Sequence, residues 1–160
     1  MKYCLIGCGR ISVNHIAAAL NNKLEIVGIC DVIPEKMKEK KELYPEIKDV
    51  REYTNYIEML EKEKPELVAI CTESGEHAHI AIDVLNHNSN VIIEKPIALS
   101  LEDAQKIIDL AEEKGLKVCA NHQNRFNKSI KKMHSALEEG RFGKLFYGTA
   151  HIRWNRDKSR

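Results

Sequence analysis

Short apolar runs alternate with amphipathic segments along the first 120 residues of the chain. The apolar runs predict five strands and a weaker sixth, at residues 2–6, 24–30, 67–71, 91–94, 116–120 and, weakly, 47–52. Apolar residues at helical spacing predict helices between them, at residues 11–22, 34–43, 56–62, 77–88 and 101–114. Strands that alternate with helices are typical of an α/β fold with a doubly wound parallel sheet.

The pattern changes after Ala120. Residues 121–126 are polar and aromatic, residues 127–139 predict a basic amphipathic helix that Gly140 ends, and residues 145–154 predict a long strand. A single strand cannot form a sheet by itself. We therefore expect one domain over residues 1–120, with residues 121–160 forming a connecting helix and the first strand of an incomplete second domain.

Composition limits the class of ligand. The chain has 160 residues, enough for one domain and a remainder, and its many charged residues nearly balance at a net charge of +1. This balance gives no global field for nucleic acid or for an acidic membrane surface, so we expect a small-molecule ligand. No apolar stretch approaches the roughly 20 residues of a membrane span. The N-terminal residues predict a strand instead of a signal peptide, so we expect a cytoplasmic protein.

Cysteine usage gives no sign of a metal site or a disulfide framework. The five cysteines are an odd number, and most lie in apolar strand-like runs. Cys4 and Cys8 have no second pair nearby that would complete a zinc site. We expect reduced cysteines that pack as small hydrophobic residues, and no metal.

The first predicted strand runs directly into Gly7-Cys8-Gly9-Arg10-Ile11-Ser12, and a helix follows at once. A strand, a glycine turn and a helix start together direct backbone N–H groups and the positive helix end at a pyrophosphate. The third position of this motif is Ser12 instead of Gly or Ala, and its small side chain still permits close packing of strand and helix.

Asp31 ends the second predicted strand, roughly 20 residues after the glycines, where a ribose-binding acid is expected. A carboxylate there accepts hydrogen bonds from both ribose hydroxyls and repels a 2′-phosphate, so NAD is favoured over NADP as the cofactor. Lys36 nearby would weaken this preference. The alternative is that Asp31 only caps the helix that begins at Pro34.

Two further segments follow predicted strands, at the sheet edge where open α/β folds bind ligands. After the fourth strand, Thr72 and Ser74 are candidates for contact with the ribose or phosphates of a cofactor, or else they cap the next helix. After the fifth strand comes Glu94-Lys95-Pro96. A partly desolvated lysine beside an oxidised nicotinamide would exchange a proton with a substrate hydroxyl, whereas the alternative is a solvated loop lysine.

These segments together resemble the Gfo/Idh/MocA oxidoreductases, in the glycine turn, Asp31, the 71–78 segment, Glu94-Lys95-Pro96 and residues 123–126. The resemblance implies a Rossmann domain, a C-terminal domain with a large open sheet, and Lys95 as the catalytic or substrate-binding lysine. It implies cofactor contacts by Gly7, Cys8, Gly9, Arg10, Ile11, Asp31, Thr72, Ser74, His77, Glu94, Lys95 and Asn124.

Within that family, residues 120–126 and 151–156 are similar to the branch that oxidises C3 of UDP-N-acetylglucosamine or its uronic acid. This implies sugar nucleotide contacts by Lys95, Asn124, Arg125, Arg153 and Arg156. From the residues alone, Arg153 and Arg156 are equally well interpreted as surface charges near a chain end. The exposed apolar residues expected around Phe142, Leu145, Phe146 and Trp154 predict self-association.

The chain departs from the family pattern in two ways. Glu73 and Glu76 stand where many members carry proline and a larger apolar residue. The catalytic histidine of the second domain has no counterpart in these 160 residues, so we expect a chain that binds dinucleotide without a complete active site. Two alternatives stay open: a dinucleotide-binding module without catalysis, and an S-adenosylmethionine methyltransferase, which also begins with a strand, a glycine turn and a helix.

Overall fold

A six-stranded parallel sheet organises the protein, as shown by a computed structural model that describes residues 1–153. The strand order is β3-β2-β1-β4-β5-β6. The strands are β1 Lys2–Ile6, β2 Glu25–Cys30, β3 Arg51–Tyr53, β4 Leu67–Ile70, β5 Asn90–Glu94 and β6 Val118–Asn121. The chain reverses its direction of travel across the sheet between β1 and β4, which confirms the predicted doubly wound fold.

Helices connect the strands and begin and end where the sequence provides local signals. They are α1 Ser12–Asn21, α2 Pro34–Leu43, α3 Tyr56–Glu63, α4 His77–Asn86, α5 Leu101–Lys114 and, after the sheet, α6 Lys128–Glu138. Pro34 stands in the first turn of α2. Ser100 Oγ accepts a 3.0 Å hydrogen bond from the Asp103 N–H at the start of α5, and Gly115 ends that helix with a φ of +64°.

Side chains alternate along β1 between two cores, one on each face of the sheet. Cys4 and Ile6 pack with residues of α3, α4 and α5, whereas Tyr3 and Leu5 pack with residues of α1 and α2. Burial of each large aliphatic side chain contributes about 1.5–3 kcal/mol to stability. Because helices cover both faces of the sheet, the edge at the carboxyl ends of the strands is the part that remains accessible to a ligand.

The weakest predicted strand, at residues 47–52, is misplaced by several residues. Pro45–Ile47 forms a 3-10 turn and the strand begins only at Arg51. Ile47 is buried in the core that contains α1 and α2, so its apolar side chain packs from a turn instead of a strand. An apolar residue signals burial, and periodicity over so short a segment does not distinguish the two conformations.

Four of the five cysteines are buried away from solvent. Cys4, Cys8, Cys30 and Cys71 are buried, whereas Cys119 on β6 is exposed, contrary to the expectation of a core position for it. Desolvation raises the pKa of the Cys8 thiol to about 12, and the negative charge of Asp31 adds to this effect. We expect Ellman's reagent at pH 8 to modify one thiol in the native protein and all five after denaturation; rapid modification of a second native thiol would contradict this burial.

Two compact units are distinguished by their internal contacts, Met1–His122 and Gln123–Arg160. In the second unit, α6 confirms the predicted helix, and Gly140 follows it with a φ of +71°. The predicted strand at 145–154 is absent over the described residues 145–153, because within residues 1–153 no other strand pairs with that segment. Trp154 and Arg156 lie outside the described residues.

The second unit exposes apolar side chains. Phe142, Leu145 and Phe146 are exposed, as are the side chains of Ile130 and Met133 along α6. Exposed apolar residues of this kind invite association, so the expected self-association stays a prediction. In the described part of the chain, every helix is too short or too polar to cross a membrane.

Candidate nucleotide-binding site

A cavity of about 440 Å³ lies at the carboxyl ends of β1, β2 and β4, where the strand order reverses. Its wall contains predicted site residues from separate strands, namely Gly7, Gly9, Asp31 and Thr72. The apolar part of the wall is formed by Ile6, Val32, Ile33, Tyr56 and Ile80. Open α/β sheets bind ligands in the crevice at this position.

The glycine turn requires glycine at its first position. Gly7 has a φ of +92°, and a Cβ there would lie 2.6 Å from the Cys71 carbonyl carbon. A side chain at Gly7 would therefore push β1 away from β4. A Cβ at Gly9, in contrast, would meet no protein atom within 4 Å. Gly9 leaves open space next to the cavity, which permits close approach of a ligand to the backbone.

A hydrogen bond between two of its own residues stabilises the glycine turn. Ser12 is buried, and its hydroxyl donates a 2.6 Å hydrogen bond to the Gly9 carbonyl, so the small residue at the third position fits as expected. Ile11 precedes α1 and provides no side-chain cap. The positive end of α1 thus lacks a capping side chain, as an anion-binding helix end requires.

One predicted backbone donor is already engaged. The Cys8 N–H donates a 2.8 Å hydrogen bond to Asp31 Oδ2, and the Cys8 side chain is buried. The Cys8 N–H is therefore not free to bind a phosphate, and contact of Cys8 with a cofactor stays a prediction. The Ser12 N–H and the Asn14 N–H also donate, to the carbonyls of Gly9 and Ile11, so the N–H groups of Gly9, exposed Arg10 and Ile11 are the remaining candidates in the turn for phosphate binding.

Asp31 is fixed in place by backbone donors from two segments. Besides the bond from Cys8, its Oδ1 accepts a 2.9 Å hydrogen bond from the Ile33 N–H. The residue that caps α2 is Ile33, without a side-chain bond, so Asp31 does not cap that helix. Each carboxylate oxygen retains a second acceptor position, and both can accept from ribose hydroxyls. Lys36 Nζ lies 3.8 Å from Oδ1, as part of the cavity wall.

Thr72 carries a buried hydroxyl without a partner. Within residues 1–153, no group forms a hydrogen bond with Thr72 Oγ1. Helix α4 begins after Glu76 and has no side-chain cap, so the alternative of capping by Thr72 or Ser74 is not observed. A buried hydroxyl without a partner costs about 1–3 kcal/mol, which a ligand oxygen or hydroxyl in the cavity would recover. The residues therefore fit a nucleotide.

Glu73 and Glu76 both contribute to the cavity wall, although both are exposed residues. The Glu76 carboxylate lies 3.3 Å from His79 Nε2, one turn along α4. The cavity wall therefore contains three carboxylates, those of Asp31, Glu73 and Glu76, and one lysine, Lys36.

His77 lies between the loops that follow β4 and β5. Its imidazole is fully buried, with Nδ1 2.7 Å from the Pro96 carbonyl oxygen and Nε2 3.1 Å from the Thr72 carbonyl oxygen. Since both ring nitrogens face main-chain carbonyls, His77 holds the two loops together. Direct contact with a cofactor, which the family resemblance implies, is not favoured by this position.

A buried polar cluster lies at the end of β5. Glu94 is 5% exposed, and its Oε1 accepts hydrogen bonds from His15 Nε2 at 2.9 Å and from Asn121 Nδ2 at 2.6 Å. Burial raises the pKa of the Glu94 carboxyl, but the hydrogen bonds from His15 and Asn121 outweigh it and hold the pKa below its usual range. Glu94 is therefore an ionised, buried anion at neutral pH.

Lys95 follows this cluster and is exposed, with a cis peptide bond to Pro96. The residues of the first unit therefore leave the Lys95 side chain in contact with water. The other predicted substrate residues, Asn124, Arg125 and Arg153, belong to the second unit and are exposed.

Sequence reasoning missed His15, Asn121 and Tyr56. Asn121 pairs with Glu94 in the register of β5 and β6, and His15 lies on α1, one turn after Ser12. The sequence signal for His15 was a polar residue among apolar residues on one face of α1, and this signal does not identify the residue that His15 contacts. Tyr56 lines the cavity and donates a 2.7 Å hydrogen bond to Asp83.

Known proteins share this architecture. The crystal structure of the WlbA dehydrogenase from Bordetella pertussis in complex with NADH and UDP-GlcNAcA is similar with a TM-score of 0.82 and 32% identity, over 91% of this chain and 44% of that one. The inositol 2-dehydrogenase of Salmonella typhimurium is 25% identical over 146 residues, 89% of this chain and 43% of the relative. The D-apiose dehydrogenase of Paraburkholderia graminis is 29% identical over 153 residues, 95% of this chain and 40% of the relative.

The chain thus spans less than half the length of these relatives. The family described as oxidoreductases with an NAD-binding Rossmann fold matches residues 1–122, which contain the sheet and the cavity. This match agrees with NAD binding and gives no support to the S-adenosylmethionine alternative. The chain belongs to the Gfo/Idh/MocA oxidoreductase family and contains its NAD-binding Rossmann domain.

Proposed function

We propose that the protein binds NAD⁺ at the cavity between β1, β2 and β4 and takes part in oxidising a secondary hydroxyl of a sugar. The observation that supports this most directly is the buried, unpartnered Thr72 hydroxyl in a cavity that also contains Gly7 and Asp31. When bound, NAD⁺ supplies a hydride acceptor. The carbinol carbon loses a hydride and the hydroxyl loses a proton, so the alcohol becomes a ketone.

The residues of this chain would then have distinct roles. The Gly9 turn and the start of α1 would bind the pyrophosphate, and Asp31 would accept hydrogen bonds from the adenosine ribose. The carboxylates of Asp31, Glu73 and Glu76 favour NAD⁺ over NADP⁺. Lys95 would receive the hydroxyl proton or orient the hydroxyl, once a second domain and substrate exclude water from it.

For the substrate, we propose C3 of a UDP-N-acetylhexosamine or its uronic acid. Two of the similar solved structures, both WlbA dehydrogenases, contain UDP-GlcNAcA together with NADH. Arg125, Arg153 and Arg156 would provide planar donors for a diphosphate or a carboxylate, and Asn124 would contact the cofactor and sugar. In this proposal, residues 121–160 form the first part of a substrate domain and the working enzyme is a homo-oligomer.

Fluorescence titration of the 160-residue chain tests the binding proposal. We expect NADH to bind with a clearly lower Kd than NADPH, and S-adenosylmethionine not to compete. Thr72→Val, which keeps the shape and removes the hydroxyl, should weaken NADH binding by about tenfold, the equivalent of one hydrogen bond. Thr149→Val is the matched control, because Thr149 is exposed in the second unit.

The outcomes separate the candidate functions. Absence of NADH binding, or equal weakening by both threonine variants, would contradict the proposed site. Binding of NADH without turnover of any UDP-sugar, in a form of the protein that carries a complete second domain, would favour the non-catalytic binding module.

A further inference from the structure

The cluster of His15, Glu94 and Asn121 places an anion inside the protein at a position that packing alone does not explain. Within the described residues, the Glu94 carboxylate accepts hydrogen bonds from His15, which is itself 8% exposed, and from Asn121, and no lysine or arginine lies within ion-pair distance of it. A buried carboxylate costs free energy unless it is compensated, and an apolar side chain would fill the same space without that cost. Hydrogen bonds thus hold this carboxylate within the described residues, and no lysine or arginine neutralises its charge.

The position of the cluster indicates which part of a bound dinucleotide this charge lies near. The Asp31 cavity lies on the β2 side of the sheet, and the glycine turn follows β1. A dinucleotide that places its adenosine beside Asp31 and its pyrophosphate on the glycine turn extends its other half toward the ends of β4 and β5. Glu94 ends β5, so its charge lies on the nicotinamide side of the sheet edge.

We propose that Glu94, held ionised by His15 and Asn121, is an electrostatic determinant of the bound cofactor's redox state and favours NAD⁺ over NADH. This inference rests on the proposed NAD⁺-binding function. The oxidised nicotinamide ring carries one positive charge, and acceptance of a hydride leaves the ring neutral. A fixed negative charge therefore attracts the oxidised form alone, and the difference is larger in the low dielectric of a buried site than in water. Weaker relative binding of NADH also assists release of the reduced cofactor.

His15 and Asn121 act through Glu94. Each donates a hydrogen bond to the same carboxylate oxygen, and together they join α1, β5 and β6 at one point. Since α1 begins at the glycine turn, this contact also joins the helix end proposed to bind phosphate to β5, the strand that precedes Lys95.

Isothermal titration calorimetry of NAD⁺ and NADH against the 160-residue chain tests the proposal. In Glu94→Gln, the ratio of the Kd for NAD⁺ to the Kd for NADH should rise by about tenfold relative to the wild type, as expected for loss of one partly screened charge. Glu113→Gln removes the same charge from an exposed position near the end of α5 and should leave the ratio unchanged.

A purely structural role for Glu94 would raise both Kd values by the same factor, and that result would overturn the proposal. If Glu94→Gln does not fold, His15→Leu keeps the carboxylate and its charge and removes only one of its donors, so the ratio should stay within about threefold of the wild type. A tenfold rise of the ratio in His15→Leu would overturn the proposal. Failure of both cofactors to bind the wild type would instead contradict the proposed function.

Discussion

Replacement of Lys95 by alanine should reduce turnover by about 100-fold or more, equivalent to about 2.7 kcal/mol of transition-state stabilisation. The reason is its position: Lys95 is exposed at the carboxyl end of β5, where the nicotinamide half of a dinucleotide is expected. The measurement is steady-state reduction of NAD⁺ with a UDP-N-acetylhexosamine or its uronic acid, in a form of the protein that carries a complete second domain.

Two comparisons make the Lys95 result specific. Lys48→Ala removes an exposed lysine from the turn that precedes β3, near the opposite sheet edge, and should leave turnover unchanged. NADH affinity should change little in Lys95→Ala, because the proposed role concerns the substrate hydroxyl. Unchanged turnover in Lys95→Ala would exclude a role in proton exchange, and a large loss of NADH affinity would indicate a cofactor-binding role instead.

Substitution of Gly7 by alanine should cause a large loss of folding stability, of roughly 2–4 kcal/mol. The added Cβ would lie 2.6 Å from the Cys71 carbonyl carbon and 2.8 Å from the Thr72 nitrogen, and both are backbone atoms that cannot rotate away. The positive φ of Gly7 adds strain for any other residue. Urea denaturation followed by circular dichroism measures the change in free energy of unfolding.

Gly9→Ala is the matched control in the same turn. Its Cβ meets no protein atom within 4 Å, so the free energy of unfolding should change by less than about 1 kcal/mol. The same Cβ would occupy space that we assign to the pyrophosphate, so NADH affinity should fall although the fold remains. Equal destabilisation by both substitutions would show that the contact between Gly7 and Cys71 is not what requires glycine.

The fold was largely predictable because its elements are defined by local patterns. Strands β1, β2, β4, β5 and β6 carry continuous apolar runs, and Pro34, Ser100 and Gly115 mark helix ends by their own chemistry. The exceptions depend on tertiary contacts. Ile47 has an apolar side chain that is buried although it lies in a turn. Residues 145–153 have the composition of a strand, but the described part of the chain contains no strand that pairs with them.

The candidate site was predictable only where a residue follows a strand directly. Asp31 and Thr72 line the cavity as expected, because carboxyl ends of parallel strands meet at one edge. The partners of Glu94 were not predictable, because His15 and Glu94 are separated by 79 positions and meet only after the sheet has formed. The position of His77 between two loops likewise depends on carbonyl groups, which leave no trace in the sequence.

The central position of β1 also constrains how the protein can be made. Tyr3 pairs with Leu67, which lies 64 positions later, and the contact of His15 with Glu94 spans still more of the chain. During synthesis, the first strand emerges from the ribosome long before its second neighbour, and closing so long a loop is entropically costly and slow. We therefore expect the nucleotide site to form late in folding. Nascent chains that end before β4 contain the glycine turn without Thr72 and the rest of the cavity wall that follows β4.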